Sequence, residues 1–102
     1  MYRASDHRAA ADALDAIDAA ARRLDLDAET ASRARDLYLS HRPDADRSKP
    51  AVIATSLYVA GRTTGETRSQ QRVAEVCDVS RFTIQQRYRE MLDAAGFETP
   101  GW

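Results

Sequence analysis

Eight of the ten residues at positions 51–60 are apolar. A helix built from them is apolar nearly all round, and such a helix is stable in water only when other elements cover every side of it. In a 102-residue chain this requires a ring of surrounding helices and predicts that residues 48–61 run through the centre of one domain. Ser48 stands at the N-cap position and Pro50 in the first turn, where a missing N–H does no harm. Gly61 and Gly65 bracket Arg62, Thr63 and Thr64 as a helix stop and turn.

The rest of the chain supplies the ring. Over residues 6–24, Ala10, Leu14, Ile17, Ala21 and Leu24 repeat at helical spacing, while Asp12 and Asp15 turn away. Asp27 then offers an N-cap, and Ala31, Ala34, Leu37, Tyr38 and His41 recur until Pro43. His41 near that helix end suits the dipole better than a ligand or catalyst role, and His7 has no partner in view. Residues 43–48 form a polar connection. Strand-period alternation, internal repeats and low-complexity tracts are absent. The expectation is all-α, with helices near 5–24, 27–42, 48–61, 69–77 and 80–95.

Composition narrows the function. A single Cys and two His far apart in sequence make a disulfide framework or a zinc site untenable. A Gly-rich phosphate loop and an ordered Ser-His-Asp set are lacking as well, so the expectation is a non-enzyme without cofactor. The first twenty residues are studded with Asp and Arg and carry no signal-peptide or membrane-spanning run, which predicts a soluble, cytoplasmic protein. The net charge of −1 conceals an asymmetry: residues 1–46 hold seven Arg against ten acidic groups, and residues 47–102 hold eight basic against six. The C-terminal half is the anion-facing half. The preference for Arg over Lys and Asp over Glu fits the background of a GC-rich or salt-adapted genome.

Residues 69–95 have helix-turn-helix spacing. Ser69 caps a short helix whose inward residues are Val73, Ala74 and Cys77; Asp78-Val79-Ser80 breaks it, and Ser80 caps the next helix. Small Ala74 permits a close crossing, Val79 tucks under the turn and Ile84 anchors the second helix. With Ile84 at zero on a helical wheel, Tyr88, Met91, Leu92 and Ala95 share its side, and Phe82, Gln85, Gln86 and Arg89 cluster opposite. Gln can pair with adenine, Arg with guanine, and an aromatic ring can meet a thymine methyl. Arg68, Arg72, Arg81 and Arg87 surround the unit as phosphate contacts, with Ser69 and Ser80 as neutral donors. The pattern alone admits both a groove reader and an ordinary solvated face. Cys77 reads as a small buried hydrophobe, and Tyr58 and Tyr88 as core aromatics with hydroxyls at the rim. After a Gly96 stop, the tail to Trp102 is undecided.

The run Ser48-Lys49-Pro50-Ala51-Val52-Ile53-Ala54, with Leu57-Tyr58-Val59-Ala60, Gly65-Glu66, Thr67-Arg68-Ser69-Gln70, Val73-Ala74-Glu75-Val76 and Val79-Ser80-Arg81-Phe82-Thr83-Ile84-Gln85-Gln86-Arg87-Tyr88-Arg89-Glu90, resembles the cyclin-like repeat of archaeal transcription factor B, counterpart of eukaryotic general transcription factor IIB. The likeness is strongest to the second repeat and is specific over residues 48–95; the first two helices fit by position and length. The resemblance implies a five-helix cyclin-like domain over residues 1–102, with a helix-turn-helix at 69–95 and a tail at 96–102. It also implies that the last two helices dock beside the TATA element and read promoter DNA in the major groove. Carried over to this sequence, the base-reading positions are Phe82 and Gln85, with Arg81, Arg87 and Arg89 near the backbone. The family often has Val and Arg at the first two, so the preferred sequence should differ.

The full family factor adds a zinc ribbon, a linker that enters RNA polymerase and a second repeat. This chain has no Cys pair for a ribbon and room for one repeat, so the expectation is an accessory transcription regulator acting on double-stranded DNA at the nucleoid. A lone repeat should bind weakly, so affinity would come from a homodimer or from docking on TATA-binding protein or RNA polymerase machinery. The DNA-binding set is Arg68, Arg72, Ser80, Arg81, Phe82, Gln85, Gln86 and Arg89. The alternative is a cyclin-like adaptor that binds basal transcription machinery without reading bases.

Overall fold

The computed structural model describes residues 4–42 and 48–96, with side chains described from Arg8 onward except Ala9. The 43–47 connection, the tail with Trp102 and the side chain of His7 lie outside the described residues. Five helices follow in order: α1 (Ala4–Arg23), α2 (Ala28–Ser40), α3 (Lys49–Thr64), α4 (Gln70–Cys77) and α5 (Arg81–Ala94). The described residues contain no strand. Helix α3 touches all four of the others, and residues 52–61 are buried without a break. The apolar run is therefore covered on every side, as its composition demands.

Three of the expected caps form. Asp27 accepts from the Thr30 N–H at 2.9 Å, Ser69 from the Arg72 N–H at 3.0 Å and Ser80 from the Phe82 N–H at 3.2 Å. The Thr30 N–H bond, the largest cause, holds the Asp27 carboxyl below the usual aspartate range. Ser48 departs from expectation: it occupies the N-cap position of α3 in a helical rather than extended conformation and makes no side-chain cap. His41 closes α2, its Nδ1 donating to the Leu37 carbonyl at 2.9 Å, the C-terminal role its position suggested.

The end of α3 is the main correction. The helix does not stop at Gly61 but continues to Thr64 and terminates at Gly65, whose φ of +85° is left-handed. Gly61 serves a different purpose, because the chain leaving Gly65 folds straight back onto it. The Glu66 N–H donates to the Gly61 carbonyl at 2.9 Å, and a Cβ on residue 61 would lie 2.7 Å from the Glu66 carbonyl oxygen. A side chain there would force the returning backbone to shift.

That return brings Glu66 against the start of α2. Its Oε1 accepts from the Asp27 N–H at 3.0 Å and from the Thr30 hydroxyl at 2.5 Å, and the Thr30 and Thr64 hydroxyls are 2.7 Å apart. Thr30 is fully buried, so this network satisfies a group whose burial would otherwise be costly. No buried side-chain nitrogen or oxygen among the described residues lacks a partner. In α1 the buried stripe is Ala13, Ile17, Ala20 and Ala21, continued by Leu24 just past its end, with Leu14 only partly covered. The expected inward role of Ala10 is also only partly met.

Candidate nucleic-acid interface

Helices α4 and α5 form a helix-turn-helix whose turn is set by backbone bonds. Asp78 adopts φ +57° and ends α4, a conformation that Asp tolerates better than bulkier residues. The Val79 N–H donates to the Ala74 carbonyl at 3.0 Å and the Asp78 N–H to Glu75 at 3.3 Å, so the chain reverses directly over Ala74. Val73, Ala74 and Val76 face inward. Cys77, expected inward, is half-buried, and its thiol is pushed up to about 11 by desolvation, which favours the protonated form at neutral pH. Val79 packs against the core edge.

Helix α5 divides as its wheel requires. Ile84 is 0% exposed, with Tyr88, Met91 and Leu92 buried beside it. On the other side Gln85, Gln86 and Arg89 are exposed, and Phe82 presents 62% of its surface to solvent. The Arg81 guanidinium lies 4.9 Å from the centroid of that ring, within cation–π range. Ser80 uses its oxygen on the helix cap, which keeps the first turn of α5 ordered. Phe82, Gln85, Gln86 and Arg89 thus lie along one accessible side of α5, with exposed Arg81 beside Phe82 in its first turn and Ser80 at its N-cap. Arg87 diverges to the opposite flank, where it lines a recess with His41, Val52, Thr55 and Met91.

Arg68 and Arg72 are placed differently. The Arg68 Nε donates to the Leu24 carbonyl at 2.8 Å, Nη2 to Asp25 at 3.0 Å and Nη1 to Glu66 at 3.2 Å. Its guanidinium caps the carbonyl end of α1, where positive charge is favourable. The Arg72 Nη2 reaches the Arg23 carbonyl at 3.3 Å, and Arg23 in turn donates to Val76 at 3.4 Å. These arginines tie α1 to α4 and hold the motif on the domain; Arg72 remains exposed. The acceptors are backbone carbonyls, which every residue carries, so no sequence signal distinguished this use from a phosphate contact.

Tyr58 and Tyr88 meet edge to face, with centroids 5.4 Å apart and planes at 82°. The Tyr58 hydroxyl accepts from Arg62 and the Tyr88 hydroxyl from Arg89, so neither buried tyrosine leaves its polar atom unpaired. Among the described residues no group of three His, Cys, Asp or Glu side chains could hold a metal, and no helix is long and apolar enough to cross a membrane.

The family model for the transcription factor TFIIB repeat matches residues 6–94. The chain belongs to the TFIIB repeat family. The five helices are accordingly a cyclin-like all-α repeat, and the match extends over α1 and α2, where sequence motifs were weakest. Among similar proteins, transcription initiation factor IIB 4 of Halobacterium salinarum is 40% identical over 77 residues, covering 72% of this chain and 23% of the relative. Transcription initiation factor IIB of Archaeoglobus fulgidus is 44% identical over 52 residues, 51% of this chain and 16% of the relative. The Pyrococcus horikoshii factor is 37% identical over 54 residues, 53% and 18%. The matched TFIIB repeat spans less than a quarter of each of these three relatives. The similarity is to transcription initiation factors.

Proposed function

We propose that this TFIIB repeat is a non-enzymatic transcription regulator that binds promoter DNA in the major groove through the exposed side of α5. The observation that carries the reading is the outward group Phe82, Gln85, Gln86 and Arg89 on a capped, firmly anchored helix. Gln85 or Gln86 would pair with an adenine edge, Arg89 and Arg81 would contact guanine or phosphate, and Phe82 would meet a thymine methyl. The Ser80 backbone and the first turn of α5 would approach the phosphates. Arg68 is left out of this set because its donors serve α1. The site of action would be the nucleoid, with TATA-binding protein, RNA polymerase machinery or a second copy supplying affinity that one repeat lacks.

A second reading, a protein-binding adaptor, draws on the exposed Asp12 and Asp15 of α1 and on the large exposed Phe82 ring, which would suit a partner protein as well as a base. Selection of duplexes from a randomised pool at several salt concentrations separates the two. A recovered motif is expected, with Gln85→Ala relaxing preference at one position by roughly 1–3 kcal/mol while the protein remains folded. Absence of enrichment at every salt, or a motif unaltered by both Gln85→Ala and Phe82→Ala, favours the adaptor.

A further inference from the structure

The extra turn of α3 beyond Gly61 places Arg62 where the sequence alone did not put it: against α5. Its guanidinium carbon lies 5.4 Å from the Tyr88 ring centroid, and its Nη1 donates to the Tyr58 hydroxyl at 3.2 Å. Arg89 approaches the same ring, its guanidinium carbon 5.8 Å from the centroid and its Nε donating to the Tyr88 hydroxyl at 3.2 Å. Two cations from different helices thus flank one buried tyrosine. Each spends an N–H on a neutral hydroxyl, and a guanidinium has five. Both side chains are exposed.

A neutral tyrosine cannot neutralise the charge of either guanidinium. Stacking on an aromatic face restrains a guanidinium and lowers the entropy lost when it captures a ligand. On the α5 wheel, Tyr88 stands 40° from Ile84, and Gln85 and Arg89 follow at 100° and 140° on the same side by the 100° step of a helix. Arg62 therefore borders the proposed reading face on its inner flank, while Arg89 lies within it.

We infer that Arg62 and Arg89, braced on Tyr88 and Tyr58, form a two-pronged site for backbone phosphate of duplex DNA. The inference rests on the proposed reading of α5 and adds to it a contact from α3 that fixes the helix's register without reading bases.

The test is binding of the full chain to its selected duplex and to a random duplex across salt concentrations. Arg62→Met is expected to weaken both about fivefold at low salt, to reduce the slope of log K against log salt by about one, and to leave the selected motif unchanged. Arg62→Lys restores the charge and is expected to restore the slope. Circular dichroism melts of each variant verify that the fold persists. Wild-type binding with an unchanged slope in Arg62→Met overturns the phosphate site alone. Failure of wild type to bind any duplex overturns this site together with the reading on which it rests.

Discussion

Ile84→Ala is expected to cost about 3–4 kcal/mol of folding stability, the largest loss from any single truncation in the helix-turn-helix. Ile84 is completely buried, on the side of α5 that packs against α3 and α4. Removing three carbons there loses their transfer free energy and leaves a cavity that neighbouring backbone can close only in part. A domain of this size has on the order of 5–10 kcal/mol to lose, so the urea midpoint should fall markedly with the slope unchanged. Because α5 carries the proposed DNA face, binding should fall with the folded fraction and be rescued at low temperature or by saturating duplex. A loss under about 1 kcal/mol would mean that α5 is not anchored through Ile84.

Gly61→Ala is the second large effect, and its sign separates local from tertiary reasoning. Helix propensity alone makes Ala better than Gly by about 1 kcal/mol in a helix interior. Against that stands a Cβ placed 2.7 Å from a backbone oxygen, that of Glu66, which cannot rotate away as a side-chain tip would. Relieving the clash displaces the 65–68 segment, which holds Glu66 on the Thr30 network and Arg68 on the end of α1. Overpacking of this kind costs about 1–3 kcal/mol, and lost hydrogen bonds add to it, so a net destabilisation of about 2 kcal/mol is expected. Gly65→Ala is the control: open space surrounds its Cβ, and only the φ of +85° opposes substitution, a penalty of about 1 kcal/mol. If Gly61→Ala stabilises the protein in thermal or urea unfolding, the return of the chain onto α3 is wrong.

These two sites also mark where sequence reasoning succeeded and where it stopped. Ile84 was legible because an amphipathic helix declares its buried side by spacing alone, and the caps at Asp27, Ser69 and Ser80 because residue type and position determine them together. The outward cluster on α5 followed from the same wheel. Gly61 was misread because a Gly within four residues of another looks locally like a helix stop, whereas its real constraint comes from residue 66 folding back on it. In α1 the many alanines made several faces look apolar, so Ala13 and Ala20 were missed and Ala10 was overvalued. Thr30 gave no sign of burial, since its partners Thr64 and Glu66 lie 34 and 36 residues away. Arg62 was hidden by the misplaced helix end.

Duplex DNA is proposed to meet this TFIIB repeat on the exposed side of α5, and backbone amide NMR during titration with the selected duplex reads that contact residue by residue. Salt-sensitive shifts are expected to concentrate at residues 80–89 and at Arg62, with α2 and the first half of α1 unmoved. Shifts confined to α1 and α2, or none at any salt concentration, would contradict it.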